Sequence, residues 1–388
     1  MFLDHLFLDS IFPPTKYKPQ LTINKGYEYV SRSQNIDLNE IKNIVLFLSA
    51  IKRRHKLSLL TIDIDLGNRI FTDKLSYVLL ECLCYYLLNE EKCNLNLHFT
   101  CQHTIFNEGI KTSYLKKITS PEGRNAFVKH FKFDIFQSHY RRIIPCEDQS
   151  GIWTPLIKQE IDTFLKSFNI QDSCRDNASD VICELVDNAL EHSLSDCLID
   201  IDITNDYTKD IEPNKENLFC GLNIVIINFS DILMGNGISK KISALETGDV
   251  EMTQRYKDVL LAKSYHKNFW GNDYTKEDFD IITSFQNKIS SRETCLTGGT
   301  GLTQLIKALE EETDAYNCYM ISGDRMINFI KQYLHSPNGW VGFNENNDYI
   351  NSIPSTKCIK KTRLFFPGTA YNLNLVLKKE LDGDDARD

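Results

Sequence analysis

Three polar side chains with different chemistry recur every four residues in one uninterrupted segment. They are Glu184, Asn188 and His192, in the sequence Cys-Glu-Leu-Val-Asp-Asn-Ala-Leu-Glu-His that spans 183–192. The segment lacks Pro and Gly and has helical apolar spacing, which predicts a helix with these three side chains on one face. A carboxylate can orient or deprotonate water, and an amide oxygen can join the oxygen-rich shell that Mg²⁺ prefers. The alternative is a solvated polar face on an amphipathic helix.

A glycine-rich run lies further along the chain and consists of Gly298, Gly299, Thr300 and Gly301. Three glycines within four residues do not suit the interior of a helix or strand, and they let backbone N–H groups approach an anion closely. Leu302 then opens a segment of good helix formers. The run is therefore predicted to lie at a helix N-terminus, which favours a bound phosphate group.

Together the two motifs resemble the GHKL ATP-binding domain of gyrases, the large heat-shock chaperones, histidine kinases and MutL-type repair proteins. The helical motif matches the family's asparagine box, in the His-ending form of anti-sigma-factor serine kinases. The glycine run matches the second glycine box, except that Thr303 replaces the usual Gly. Gly368 and Thr369, before an alternating apolar segment, resemble the family's closing Gly-Thr and final strand. Order and spacing agree over residues 150–380, more than half of the chain.

The first glycine box is where this chain departs from the family pattern. The family has Asp-x-Gly-x-Gly after a buried strand, and that Asp accepts a hydrogen bond from the adenine amine. In this chain Asn228 stands at the end of the predicted strand, where the family has its Asp. The next two residues are Phe229 and Ser230, so the first glycine of the family pattern is missing. Alternatively, Asp231 is the acceptor, and Gly235 with Gly237 forms a displaced glycine pair. An Asn amide can accept from adenine or donate to a keto oxygen, so specificity for adenine is implied by the resemblance alone.

The resemblance implies an α/β sandwich in the C-terminal part, with a mixed sheet covered on one face by helices. It also implies Mg²⁺ and ATP as ligands. Asn188 would coordinate Mg²⁺, Glu184 would activate water, and His192 would orient Glu184 or contact phosphate. The predicted nucleotide-binding residues are Asn188, His192, Asn228, Asp231, Gly235, Gly237, Arg292, Gly298, Gly299, Thr300, Gly301, Leu302 and Thr369.

Residues 237–291 form an insertion of the length of a lid, with a helix expected near 253–269. The expected helix carries basic residues, and the segment is predicted to close over the triphosphate. Arg292, shortly before the glycine run, is a candidate phosphate clamp. The alternative for the basic residues of the insertion is a solvated helix face.

The sequence divides into an N-terminal α/β domain at 1–148, the ATP-binding domain at 149–380 and an acidic tail at 381–388. In the first part, helices are expected from Asp37 to about His55 and from about Lys74 to Asn89, with strands at 57–66 and 93–101. This alternation resembles the STAS fold of anti-sigma-factor antagonists, without a diagnostic motif. The alternative is an α/β cap of unknown role.

Composition restricts the class of protein. Hydrophobic residues make up 42% of the 388 residues, the net charge is −9 and the pI is near 5.6, which argues against a general nucleic-acid or membrane-surface binder. The 12 Cys are scattered without a C-x-x-C pair, which favours reduced thiols and a cytoplasmic location. No signal peptide or membrane-spanning run is expected.

Three functions follow from the resemblance. The first is a slow ATPase that acts as a conformational switch for a protein partner. The second is a protein serine kinase of the anti-sigma type that acts on a small STAS-like partner, although such kinases are usually shorter. The third is a non-catalytic nucleotide sensor, which the altered first glycine box favours. A homodimer is expected by analogy with relatives of this build.

Overall fold

The computed structural model describes residues 26–100, 113–146, 153–204, 218–248, 252–290, 301–312 and 317–380, and the account below concerns these residues. Their helices are α1 Leu38–Lys52, α2 Lys74–Tyr85, α3 Pro121–His130, α4 Trp153–Lys166, α5 Asp172–His192, α6 Asn236–Thr247, α7 Gln254–His266, α8 Lys276–Ser284 and α9 Gly301–Glu312. Their strands are β1 Tyr27–Val30, β2 Asn35–Ile36, β3 Thr61–Asn68, β4 Ile70–Phe71, β5 Asn94–Thr100, β6 Phe133–Phe136, β7 His139–Ile144, β8 Cys197–Thr204, β9 Phe219–Asn228, β10 Tyr319–Asn328 and β11 Ile359–Lys378. The predicted α/β class is confirmed.

The strands form two main sheets of different kinds. The larger has six strands in the order β10-β11-β9-β8-β7-β6, and every ladder in it is antiparallel. The smaller has three parallel strands in the order β1-β3-β5, and β2 and β4 form a short parallel pair. The chain thus combines both kinds of ladder, but the six-stranded sheet itself is antiparallel rather than mixed.

Helices α1 and α2 lie between the two sheets. As crossover connections of the parallel sheet they share one face of it, as right-handed βαβ units require. All twelve residues of α2 are buried. Their apolar side chains form one cluster with inward-facing residues of β3, β5, β8, β9, β10 and β11. The N-terminal region therefore covers one face of the six-stranded sheet.

The other face of the six-stranded sheet packs against α4, α5 and α9. Alternate residues of the strands point into this layer, among them Ile199, Ile201, Ile224, Ile226 and Leu373. Helices α6, α7 and α8 extend the same core. Helices thus cover both faces of the sheet, whereas helices on one face were expected. The difference arises because α1 and α2 occupy the face that was expected to be open.

The sequence signals for helix starts are confirmed in the N-terminal region. Asp37 caps α1 by accepting from the N–H groups of Asn39 and Glu40, and Asp73 caps α2 by accepting from Ser76 N–H. Helix α1 ends at Lys52, a few residues before the expected His55. The strands expected at 57–66 and 93–101 are β3 and β5.

Three elements differ from expectation. The sequence predicts a link between two helices at 172–177, but this segment belongs to α5, where Arg175 ion-pairs with Asp172 and Asp162 and donates to Ile170 O. The sequence also predicts a pair of strands at 362–377, but the segment is part of one strand, β11, which pairs with β10 on one side and β9 on the other. Strands β6 and β7 belong to the six-stranded sheet although they precede residue 149.

A buried network of charges joins α2 to the six-stranded sheet. Lys74 Nζ lies 2.8 Å from Asp200 Oδ1 and 2.7 Å from Asp202 Oδ2, with all three side chains almost fully buried. Arg141 pairs with Asp200 and with Glu81 of α2. Aspartates and isoleucines alternate along β8, which predicts that Asp200 and Asp202 face the side of the sheet opposite the isoleucines. The structure confirms this, but the two aspartates face α2 rather than water.

His139 belongs to the same network, with Nε2 3.1 Å from Asp200 Oδ2. Burial lowers the pKa of His139, but the charge of Asp200 and hydrogen bonds to Asp134 and Asp200 outweigh it and raise the pKa from 6.5 to about 9. The protonated form is therefore favoured in the folded state. Its contribution to stability is fully present below pH 6.5 and is lost as the pH rises through about 9.

We expect the free energy of unfolding to fall between pH 6.5 and 9 by about 1–3 kcal/mol through His139. Urea unfolding at several pH values in this window measures the effect. His139→Gln removes the titrating group and should flatten the profile. His335→Gln, at an exposed pair with Glu310, serves as the control and should leave the slope unchanged. If the free energy of unfolding of His139→Gln fell with pH as steeply as that of the wild type, His139 would not be the titrating group.

Among the described residues, no helix combines the length and the apolar character that crossing a bilayer requires.

Candidate functional site

Helix α5 carries the asparagine-box motif on a continuous helical backbone, as predicted. Leu185, Val186 and Ala189 are buried against the sheet, while Glu184 and Asn188 are half-buried beside them. The Asn188 Nδ2 atom is buried and has no hydrogen-bond partner among the residues that the structure describes. Leaving such a donor unpaired costs about 1–3 kcal/mol, so it marks a position where a ligand acceptor would be favourable. The side chain of His192, the last residue of α5, lies outside the described part of the structure.

Helix α9 begins at Gly301, directly after the glycine run, so the helix predicted to follow that run is confirmed. It packs against α5, and Leu302 contacts the shared core. Thr303, in the first turn of α9, has a buried Oγ1 that finds no hydrogen-bond partner within the described part of the chain. The two motifs therefore lie on adjacent helices, and each helix has an unpaired buried polar atom. Arg292, Gly298, Gly299 and Thr300 lie outside the described residues.

The C-terminal end of α5 meets the end of β9. Ser230, in the loop after β9, donates its hydroxyl to Ser193 O at 2.7 Å. The Asn228 side chain donates through Nδ2 to Ser195 Oγ at 3.3 Å. Asn228 is buried and, like Ile226 two residues earlier, faces the α5 layer. The helix that carries Glu184 and Asn188 and the end of β9 that carries Asn228 thus meet at one corner of the sheet.

Thr369 lies directly opposite Asn228 in the ladder between β9 and β11. Both side chains therefore project from the same face of the sheet. The Thr369 hydroxyl donates to Ser322 Oγ at 3.3 Å, and Ser322 in turn donates to Gly368 O. Gly368 has a φ of +104°, and a Cβ there would lie 2.1 Å from Asn228 O, so glycine is required. The structure brings the predicted residues Asn228 and Thr369 together.

The loop after β9 holds the other candidates of the first glycine box. Asp231 is exposed, in contrast to the buried Asn228. Gly235 has a φ of +87° at the N-terminus of α6, and a Cβ there would lie 3.0 Å from Ile281 N. Gly237 is a helical residue in the first turn of α6. Of the two glycines, Gly235 and Gly237, only Gly235 therefore has a backbone conformation that requires glycine.

Met234 connects this loop to β10 and β11. Its backbone N–H donates to Ser322 Oγ at 2.9 Å, the same hydroxyl that Thr369 contacts. Ser322 of β10 therefore joins the loop before α6 to the middle of β11, next to the end of β9. A ligand that contacts any of these elements contacts a connected hydrogen-bond network.

The insertion expected to form a lid is anchored to the β10–β11 connection. The Arg255 guanidinium stacks on Trp340 at 3.8 Å and donates to Gly339 O at 2.7 Å. His266 is fully buried, bonded through Nδ1 to Tyr274 and through Nε2 to Tyr349 O, and burial lowers its pKa. Two of the basic residues of the insertion therefore stabilise its packing, and they are not available as phosphate ligands.

One thiol borders the asparagine-box motif. Cys183 Sγ contacts Thr154 O at 3.6 Å, and burial, followed by the charge of Asp187, raises the pKa of this thiol to about 12. Thr154 also donates to Asp187 Oδ1 at 2.5 Å. These contacts fix α5 against α4, and the thiol stays protonated at neutral pH, so it is a packing group and not a nucleophile.

A small cavity of about 20 Å³ lies away from this corner, on the face of the sheet that α2 covers. Its lining includes Tyr77, Glu81, His139 and Arg141 of the buried charge network. A cavity of this size holds about one water molecule. It is therefore too small to be a nucleotide site.

Leu194, directly after the C-cap Ser193 of α5, has a φ of +50°. Its side chain is 64% exposed, so little packing offsets the cost of the left-handed backbone. We expect Leu194→Gly to raise the free energy of unfolding by about 0.5–1 kcal/mol. Leu194→Ala, which keeps the Cβ, should show no such gain in a denaturant titration. Equal stability of the Gly and Ala variants would rule out backbone strain.

Sequence reasoning missed the serines that link the corner, namely Ser193, Ser195, Ser230 and Ser322. Their roles depend on contacts between segments far apart in the chain, and an isolated serine gives no sequence signal. Gly368 did carry a signal, because Pro-Gly punctuates the segment before the final strand.

Comparisons with protein-family models, with curated proteins and with solved structures find no match to this chain.

Proposed function

We propose that this protein binds Mg²⁺ and ATP at the corner between α5, α9, the end of β9 and the middle of β11, and hydrolyses ATP slowly as a conformational switch. The observation that carries the proposal is the unpaired, buried Nδ2 of Asn188 on α5, the helix against which α9 packs. The family resemblance of the two sequence motifs supplies the identity of the ligand.

The polar groups at the corner suit a nucleotide with its metal ion. Asn188 Nδ2 and Thr303 Oγ1 are buried groups that lack a partner, and both can donate to phosphate oxygens. The Asn188 carboxamide also offers an oxygen of the type that Mg²⁺ accepts. The N-terminus of α9, after the glycine run, favours negative charge. These groups fit a triphosphate better than a neutral metabolite.

The residues have separate roles in the proposal. Asn188 would hold Mg²⁺, which would supply neutralisation of phosphate charge, and the backbone of Gly299, Thr300 and Gly301, the glycine run of the sequence, would hold phosphate oxygens. Glu184, one helical turn before Asn188, orients or deprotonates the attacking water. His192 orients Glu184 or contacts phosphate. Catalysis of this kind depends on positioning and charge stabilisation, so turnover is slow unless a partner completes the site.

Asn228 is the better-supported reader of the base. It is buried beside Thr369 at the corner, whereas Asp231 is exposed in the loop. With Nδ2 donating to Ser195 Oγ, the Oδ1 atom is the group left to accept from the adenine amine. Because Ser195 can also donate, the amide can turn over and present a donor to a keto oxygen. We therefore expect weaker discrimination between ATP and GTP than an Asp would give.

The switch role is supported by the strands that separate the two helical layers. Asn228 and Thr369 face the α5 layer, whereas their neighbours Phe229 and Ala370 face the α1 and α2 layer. A shift of these parts of β9 and β11 on nucleotide binding would therefore alter the packing of the N-terminal region. That region is the part of the molecule proposed to signal to a protein partner.

A non-catalytic nucleotide sensor is the second candidate. Two features favour this function. Asn228, the last residue of β9, stands where the GHKL family has the Asp that accepts from adenine, and of the two glycines in the following loop and helix, only Gly235 has a backbone that requires glycine. Binding of ATP without release of inorganic phosphate, and without transfer of label to a protein, would identify this function.

Calorimetric titration of the full chain with ATP and with GTP, each with Mg²⁺, tests the proposal. Saturable binding of ATP that depends on Mg²⁺ is expected. Absence of binding by either nucleotide would overturn the proposal.

Glu184→Gln tests the catalytic part. We expect it to keep ATP affinity within about threefold and to lower the hydrolysis rate by about 100-fold or more, because general base catalysis contributes 10²–10⁴-fold. Phosphate release measures the rate, and Glu191→Gln on the same helix is the matched control. Hydrolysis by Glu184→Gln at the wild-type rate would remove Glu184 from the role of base.

A further inference from the structure

The loop between β9 and α6, residues 229–235, packs against an irregular part of β10. The ladder between β10 and β11 changes register on both sides of Gly323. Gly323 has a φ of +58°, and a Cβ there would lie 2.9 Å from Leu233 Cδ1 and 3.9 Å from Leu233 Cδ2. Both methyl groups of this loop residue therefore occupy the space beside the glycine. Irregular ladders of this kind are frequent next to active sites, where they direct a local contact.

Two hydrogen bonds flank the contact of Leu233. The Met234 N–H donates to Ser322 Oγ at 2.9 Å, and the Ile232 N–H donates to Ser230 Oγ at 3.0 Å. The same Ser230 hydroxyl donates to the C-cap of α5. The residues on either side of Leu233 are therefore fixed to β10 and, through one hydroxyl group, to α5.

Helix α8 also supports this loop. A Cβ at Gly235 would lie 3.0 Å from Ile281 N, so the backbone at the end of the loop packs directly on the backbone of α8. Arg325 of β10, two residues after Gly323, lies 3.4 Å from the carboxylate of Asp278 in α8. Strand β10 and helix α8 are thus joined to each other as well as to the loop. This part of the insertion is a fixed support of the loop.

We propose that the contact between Leu233 and Gly323 positions the base-binding end of β9, so that both are positioning residues for the nucleotide. The loop begins directly after Asn228, the proposed reader of the base, and its first residue, Phe229, is buried. Few residues separate Asn228 from Leu233, so a displacement at Leu233 reaches the end of β9. This role rests on the proposed binding of a nucleotide at the corner, whereas the fixed position of the loop does not.

Gly248, which ends α6, shows what distinguishes Gly323. Its φ is +82°, and a Cβ there would meet no described atom within 4 Å. Glycine is favoured at that position by backbone conformation alone. At Gly323 a positive φ is combined with space that Leu233 already occupies. The two glycines therefore allow backbone strain and loss of the contact to be separated by experiment.

Hydrogen–deuterium exchange of the full chain without nucleotide tests the position of the loop. We expect Leu233→Ala to raise the exchange rates of the Ile232 and Met234 amides by about tenfold, because the contact that holds their hydrogen bonds in place is lost. Leu60→Ala, at another half-buried leucine, is the matched control and should leave both rates unchanged. Unchanged rates in Leu233→Ala would overturn the proposal.

A double-variant cycle tests the contact itself. Gly323→Ala displaces Leu233 and should also raise the two exchange rates. In Gly323→Ala combined with Leu233→Ala the effects should not add, because the new methyl group enters space that the leucine has left. Gly248→Ala, which adds backbone strain without a contact, should leave the loop unchanged. Additive effects of the two substitutions would show that Gly323 acts separately from Leu233.

Calorimetric titration with Mg²⁺ and either ATP or inorganic tripolyphosphate tests the consequence for the nucleotide. We expect Leu233→Ala to weaken ATP binding by about 2- to 30-fold, the range for residues that act on a site without touching its ligand. Tripolyphosphate binding should be unchanged, because the proposed phosphate contacts lie on α5 and α9. Leu60→Ala should leave the affinity for both ligands unchanged.

The outcomes separate the two proposals. Equal ATP affinity of the wild type and Leu233→Ala would overturn the positioning role and leave the proposed function in place. Absence of ATP binding by the wild type would overturn the proposed function, and the positioning of a nucleotide with it, even where the exchange rates confirm that Leu233 fixes the loop.

Discussion

Lys74→Met is expected to lower the free energy of unfolding by about 3–5 kcal/mol, because it leaves the buried Asp202 carboxylate without its cation, while Asp200 keeps Arg141 and His139. Lys74 Nζ lies 2.8 Å from Asp200 and 2.7 Å from Asp202, and the Lys74 side chain is 1% exposed. Methionine has nearly the same length and apolar stem, so packing changes little. Urea unfolding followed by circular dichroism measures the loss.

An exposed pair of the same two residue types supplies the control. Lys158 lies 2.6 Å from Asp180, but both side chains are more than 40% exposed, so Lys158→Met should change stability little. Lys74→Met combined with Asp202→Asn should recover part of the loss, since the carboxylate that Lys74→Met leaves without a cation is neutralised. A loss of less than about 1 kcal/mol in Lys74→Met would show that water or other cations compensate the carboxylates.

Asn188→Ala is expected to weaken binding of Mg²⁺ and ATP by about 10–150-fold. A hydrogen bond to a charged group contributes about 1.5–3 kcal/mol, and about 1.4 kcal/mol corresponds to a factor of ten in affinity. The variant also removes the proposed metal ligand, so the effect should be largest when Mg²⁺ is present. Calorimetric titration with ATP, with and without Mg²⁺, separates the two contributions.

Asn177→Ala is the matched control, because it makes the same substitution at an exposed position of the same helix. It should leave affinity unchanged. Since Asn188 Nδ2 has no partner among the described residues, Asn188→Ala should not destabilise the fold, and a thermal melt checks this. Equal affinity for wild type and Asn188→Ala would remove Asn188 from the site.

Individual helices and strands could be predicted from the sequence, because the patterns that indicate them lie within a few neighbouring residues. Asp37 and Asp73 occupy cap positions that their own neighbours define, and the apolar spacing in α5 and the alternation in β8 are read within a few residues. The stacking of α1 and α2 on the six-stranded sheet did not follow. The aspartates of β8 alternate with isoleucines as they would on a strand facing water, and their partner Lys74 is more than a hundred residues away.

The candidate site shows the same limit. The spacing of Glu184 and Asn188 and the glycine run indicated adjacent helices, and α5 and α9 do pack together. The hydrogen bonds from Asn228 to Ser195 and from Thr369 to Ser322 join segments that no periodicity relates. The basic residues of the insertion were also misleading, because composition does not distinguish a phosphate ligand from an Arg255 stacked on Trp340.

The place of β11 has a consequence for how this chain is synthesised. Strand β11 lies between β9 and β10, and its Asn372 side chain accepts a hydrogen bond from the amide of Leu75, 297 residues earlier. During translation, α1, α2, β8 and β9 therefore leave the ribosome long before the strand that completes their core. Contacts of such large sequence separation are slow to form. The nascent chain thus exposes apolar surface for much of its synthesis, which makes it a natural client of molecular chaperones.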